Sequence, residues 1–113
     1  MSQDFNYLAA LQRAILVRHR CTSLHRGTVF VHEKTAAGET VWKGNVEVFD
    51  LLDCNESDIC FAWQHVVSRK TAKVITVLGS RLIDTAHRAV QAAIFTDMQP
   101  LSFHDPVSIE DAA

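Results

Sequence analysis

The chain has 113 residues, 48% of them apolar, and a formal net charge of −2. That is room for one domain with one core, and too apolar a composition for a wholly disordered chain. Three of the thirteen acids, Asp105, Glu110 and Asp111, sit near the C-terminus, which leaves ten acids against eleven bases before it, so no global charge argues for nucleic acid.

Leu8, Leu11 and Ile15 recur at helical spacing and Phe5 extends the stripe, which predicts a helix over about 3–18. Ser2 is its expected N-cap, Asp4 suits the positive first turn, and Arg18, His19 and Arg20 suit the negative end. A first strand is expected over 26–34, where β-branched and aromatic residues concentrate. A turn at 36–39 follows, with Gly38 supplying the unusual backbone angle. The second strand, 40–52, alternates: Trp42, Gly44, Val46 and Val48 on one face, Lys43, Asn45 and Glu47 on the other. The polar stretch 53–58 reads as a loop. Strands over 59–67 and 73–78 come next, joined by a turn at 68–71. Short connections make the four strands an antiparallel meander. A final helix over 85–98 is expected, N-capped by Asp84, with Ala86, Ala89, Val90, Ala93 and Ile94 on one face and Pro100 beyond its end. The fold class is thus α+β: helix, four-stranded antiparallel meander, helix, as a two-layer sandwich with both helices on one sheet face. Residues 1–99 form the domain and 100–113 a loose C-terminal tail.

Candidate sites are sparse. Cys21, Cys54 and Cys60 are an odd number without framework spacing, and no basic-then-apolar leader or membrane-length apolar run is visible, so the expected setting is a reducing cytoplasm. His19, Cys21 and His25 bring metal-binding donor types together, but H-x-C-x3-H matches no common zinc spacing and lacks a fourth ligand. The oxygen-rich run 53–58 lacks the glycine and terminal glutamate of a calcium loop. Ser80 lacks a nucleophile elbow, the cysteines lack an identifiable activating partner, and no glycine-rich loop precedes a helix. No enzyme, metal or cofactor is therefore expected. A deep polar pocket around His32 or His65 would favour an enzyme or ligand-binding domain.

Two resemblances bear on function. The order helix, antiparallel strands, helix, with an alanine-rich last helix, resembles the double-stranded-RNA-binding domain in topology. That implies a nucleic-acid alternative, with Arg69, Lys70 and Lys73 as a phosphate patch, although the family's lysine cluster and Gly-Pro-x-His turn are absent. Residues 41–51, 60–63 and 86–94 resemble a small bacterial family of uncharacterised proteins over about 40–95, which brings no assigned activity.

The strongest pattern is apolarity on both faces of the sheet. In the third strand Ile59, Phe61, Trp63 and Val67 oppose Cys60, Ala62 and Val66. An antiparallel sheet covered on one side should alternate. With both helices placed on one face, the other needs a partner. Cys60 and Ala62, being small, are expected beneath the Ala-rich helix, and Phe61 and Trp63 at a homodimer or protein interface. The expected function is a non-enzymatic interaction module.

Overall fold

The computed structural model describes the backbone of residues 2–66 and 72–94, and side chains from Tyr7 onward. Within these, helix α1 spans Ser2–His19, strands β1 to β4 span Thr22–Lys34, Thr40–Leu52, Ile59–Val66 and Ala72–Leu78, and helix α2 spans Ala86–Ile94. The strands form one antiparallel sheet in the order β1-β2-β3-β4, which is the expected α+β meander. Arg69 and Lys70, the Ser2 cap, the far end of the last helix and the tail from 100 onward lie outside the described residues and side chains.

The helices take opposite faces. Leu11 and Ile15 of α1, with Tyr7 and Leu8, pack with Phe49, Leu51, Cys60 and Ala62. Ala86, Ala89, Val90 and Ala93 of α2 pack with Val46, Val48, Phe61, Trp63 and Ile75. One helix therefore lies on each side of the sheet, not two on one side, and three layers replace the expected two. The reason is volume. The alanines of α2 leave space that Phe61 and Trp63 fill, and the large side chains of α1 fill the space over Cys60 and Ala62. In β3, residues 60–63 are all buried, Trp63 fully.

Local chemistry sets the ends. Arg20, in the left-handed region at φ 57, closes α1, and its N–H reaches the Leu16 carbonyl at 2.9 Å. The hairpin turn uses Gly38 at φ 91, and its N–H reaches the Thr35 carbonyl at 2.9 Å. Thr35 Oγ1 also accepts the Glu39 N–H at 3.1 Å. The N-cap of α2 is Thr85, not Asp84: its hydroxyl accepts the Arg88 N–H at 3.1 Å, the bond expected from a cap to the third helical residue. Asp84 instead pairs loosely with Arg88 at 3.6 Å.

Gly79 ends β4 at a close crossing. Its N–H bonds the Ile59 carbonyl at 2.8 Å, and Ser57 Oγ lies 2.9 and 2.8 Å from the Ile59 and Gly79 carbonyls. A Cβ on Gly79 would collide with Ile59 Cγ2, whereas one on Gly27 meets nothing within 4 Å. Ile59 is β-branched and has little rotamer freedom with which to yield. Gly79→Ala should therefore destabilise the domain by about 1–3 kcal/mol, while Gly27→Ala should stay within about 0.5 kcal/mol. Urea unfolding of the two variants side by side checks this.

Candidate interaction site

The β2–β3 ladder is short. It runs only from Glu47–Ala62 to Asp50–Ile59. Beyond it β2 stays paired with β1 back to Thr40, and β3 stays paired with β4 to Val66. The sheet thus forks into two hairpins. Between them lies a cleft of about 640 Å³ lined by Tyr7, residues 41–45, Glu47 and residues 64–66. The lining residues run consecutively along each strand. Successive side chains point to opposite faces, so a cleft touched by 41, 42, 43, 44 and 45 lies between strand edges, in the plane of the sheet.

On the α1 side, the apex holds Glu47. Its carboxylate is 6% exposed as a residue and its Oε1 accepts the Thr28 hydroxyl at 2.6 Å and meets His25 Nε2 at 2.7 Å. Alternation put Glu47 on a solvent face. It is instead buried beside Tyr7, and its charge is held by neighbours on β1. Burial, then the Glu47 charge, raise the Tyr7 pKa, against a small opposing effect from the backbone N–H of Gln64 at the phenol oxygen.

On the α2 side, the Trp42 indole lies over Gly44, where a Cβ would stand 3.0 Å from it, and packs at 5.8 Å from the Trp63 ring. His65 has both ring nitrogens sheltered and without a hydrogen-bond partner among the described residues. Burial, then the Lys73 charge, lower its pKa, which keeps the imidazole neutral. An orphaned neutral imidazole in a cleft is a group waiting for a donor or acceptor.

Of the residues singled out from sequence, His65 lines the cleft, His32 lies 2.7 Å from the Thr40 hydroxyl, and the rest fall elsewhere. Phe61 and Trp63 lie in the core under α2, so they are not the open face of a partner site. The face assignment is corrected because small residues of the helix pair with large residues of the strand. Lys73 is exposed on β4. His19, Cys21 and His25 do not converge: His19 Nε2 lies 2.9 Å from Thr76 Oγ1, His25 is on Glu47, and the Cys21 thiol lies 3.2 Å from the His19 carbonyl oxygen. Among the described residues no group of three or more His, Cys, Asp or Glu is placed to hold a metal, and no helix is long and apolar enough to cross a membrane. Sequence reasoning missed Tyr7, Glu47 and Gln64. The one available signal was Glu47 itself, flanked by Val46, Val48 and Phe49.

No protein-family model, curated protein or solved structure matches the chain. The site's chemistry therefore rests on its own geometry: two unpaired backbone edges, a buried carboxylate, a phenol and a neutral imidazole.

The histidines give the fold a pH dependence of defined sign. The folded-state pKa values of His65 and His19 lie below the ordinary 6.5. The unfolded chain therefore binds more protons in the window just below 6.5, and stability falls as pH drops through it. Stability measured between about pH 7.5 and 5 should decline toward acid, and His65→Phe should flatten part of that slope, leaving the share from His19.

Proposed function

We propose that the protein is a non-enzymatic interaction module that takes an extended segment of a protein partner into the fork between β2 and β3. The observation that carries this reading is the in-plane cleft, whose walls are strand edges. An inserted strand would complete the sheet through main-chain hydrogen bonds, the basis of β-augmentation. Its side chains would alternate. Those on the α2 side meet Trp42 and the bare backbone of Gly44 and are apolar; those on the α1 side meet Glu47, Asn45 and Gln64 and are basic or polar. Lys43, Asn45 and Gln64 also keep the empty edges from pairing indiscriminately.

Amide hydrogen exchange on the full chain tests this. Amides of 41–45 and Val66 that point into the fork, Gln64 being left out because its N–H faces the Tyr7 phenol oxygen, should exchange fast in the free protein. They should become protected by a synthetic peptide of alternating apolar and basic residues, and not by the same peptide with proline at its centre. Glu47→Gln should weaken that binding by about tenfold, the loss of one charge-assisted contact. Slow exchange in the free protein would sink the reading, because the fork would then already be filled.

A second reading, homodimerisation, is favoured by the outer edge of β1. This strand has thirteen residues and no strand on its outer side among the described residues, although Gln12 Nε2 donates to the Ser23 carbonyl at 3.0 Å near its start, and Leu24, Val29 and Phe30 are exposed. The other outer edge is guarded: Arg18 Nη1 donates to the Val74 carbonyl of β4 at 2.7 Å. Antiparallel pairing of β1 with β1 of a second copy is self-complementary about a two-fold axis. With Val29 opposite Phe30, Arg26 of each copy faces Glu33 of the other. Sedimentation should show a dimer that Phe30→Lys converts to a folded monomer; a monomeric wild-type protein at high concentration would exclude it.

A further inference from the structure

The basic residues at the end of α1 do more than offset its negative pole. Arg18 and His19 occupy the last turn, where the helix dipole favours cations. Both head groups nevertheless reach across to β4, the outermost strand on that side of the sheet. Arg18 Nη1 donates to the Val74 carbonyl at 2.7 Å and to Thr76 Oγ1 at 3.4 Å, and His19 Nε2 lies 2.9 Å from the same hydroxyl. The left-handed Arg20 stops the helix directly after His19, and the Cys21 thiol lies 3.2 Å from the His19 carbonyl oxygen, so the backbone here is held as well as the rings. With Lys73 and Ile75 these residues line a cavity of about 320 Å³ that shares no lining residue with the fork. Val74 packs on the α1 side of the sheet and Ile75 on the α2 side. The cavity therefore wraps the outer edge of β4, and by alternation Lys73 enters it from the α2 side.

What these groups offer a ligand is donors. The bonds of Arg18 Nη1 to β4 fix the guanidinium plane, and among the described residues no carboxylate pairs with it. That leaves the Nε–H and Nη2 hydrogens, the pair that grips two oxygens of one oxyanion. Thr76 Oγ1 has two lone pairs and one proton. Arg18 takes one lone pair, and His19 takes the other when its Nε2 carries the hydrogen, so the hydroxyl proton is left to donate into the cavity. None of the lining residues is acidic. Arg18 and Lys73 bring a pair of full positive charges, while burial, then the Arg18 charge, lower the His19 pKa against Glu56, which spares the cavity a third. A pair of charges suits a dianion. A phosphate monoester carries about −1.5 to −2 at neutral pH, whereas a diester carries a single charge and has a second substituent to accommodate.

We infer that the cavity at the edge of β4 binds a dianionic phosphoryl group, that of inorganic phosphate or of a phosphate monoester, gripped by the Arg18 guanidinium and the Thr76 hydroxyl. Lys73 supplies the second charge, and His19 orients Thr76. A group held there joins the end of α1 to β4 and stabilises the folded state by mass action.

The test titrates the full chain at about pH 8, where the monoester is a dianion, with inorganic phosphate, phenyl phosphate, diethyl phosphate and sodium chloride at matched ionic strength, and follows backbone amide shifts. Phosphate and phenyl phosphate should give saturable shifts centred on residues 18, 19 and 73–76. Diethyl phosphate should bind at least about tenfold more weakly, and chloride should give no shift that saturates. Tighter binding of phenyl phosphate than of phosphate supports the site with a phosphorylated molecule as the source, and the reverse supports it with the free ion. Arg18→Lys keeps the charge without the two-pronged grip and should weaken phosphate binding by about tenfold. Thr76→Val should weaken it too, and Lys34→Gln, at the far end of β1, should leave it unchanged. Shifts that never saturate, shifts spread evenly over the basic residues, or an equal loss in Lys34→Gln and Arg18→Lys would overturn the proposal. Diester binding as tight as that of phosphate would overturn it in favour of a nucleic-acid backbone. The wild-type titration decides the matter even if a variant folds poorly.

Discussion

A strand buried on both faces dictates this fold. Cys60, Phe61, Ala62 and Trp63 are consecutive, and all four are buried. Consecutive side chains of a strand point to opposite sides, so β3 demands cover above and below. The chain meets the demand with one helix on each side. Each helix is then centred over the middle of the sheet, where Trp63 meets the alanines of α2 and Ala62 and Cys60 meet Leu11 and Ile15 of α1. Other features follow from this centring. The outer ends of the hairpins are less covered, and Phe30 and Val66 emerge there with 59% and 66% exposure.

The elements themselves were legible from periodicity. Leu8, Leu11 and Ile15 do face the core, β2 has the expected bounds, and Gly38 turns the chain with the unusual backbone angle expected of it; the left-handed Arg20, read from sequence only as a charge at the helix end, was not foreseen as a turn residue. Two-sided apolarity in β3 was legible too, and it correctly required two covers. What the sequence hid was the assignment of covers. Matching the small residues of α2 to the small residues Cys60 and Ala62 reasons from close approach alone. Packing density requires the opposite match, small against large, because two small surfaces would leave a void whose lining loses its contacts. That single inversion moved α2 to the other face and turned Phe61 and Trp63 from expected interface residues into core.

The fork was less legible, because strand pairing is a non-local property. The length mismatch was available: β2 has thirteen residues and β3 eight. Unequal neighbours leave part of the longer strand unpaired on that side, but sequence does not say which part. Glu47 carries the missing information in disguise. By alternation it belongs to the polar face with Lys43 and Asn45, yet it is buried at the point where the ladder ends. A buried carboxylate needs donors, and those donors, Thr28 and His25, come from β1, a strand that alternation alone does not align with it. The β1 irregularity between His25 and Gly27 brings both onto the Glu47 side, one on either side of the bulged Arg26.

Taken together, departures from local rules gather at the two ends of the short β2–β3 ladder. At one end stand a buried charge, an imidazole with no hydrogen-bond partner among the described residues and two strand edges that do not meet. At the other, the left-handed non-glycine residues Arg20 and Asp53 stand immediately before Cys21 and Cys54. Between them lies the packed core, where the buried Trp63 Nε1 also lacks a hydrogen-bond partner among the described residues. A sequence selected only to fold would pair β2 with β3 along the whole of the shorter strand and turn the loop with glycine, since both choices lower the free energy of the folded state. Where local preference and structure disagree in an otherwise consistent domain, the disagreement marks residues kept for something other than stability. By that argument the ends of one ladder are the candidate sites of this protein, and its buried middle, which holds Trp63 and Ala62, is the frame between those ends.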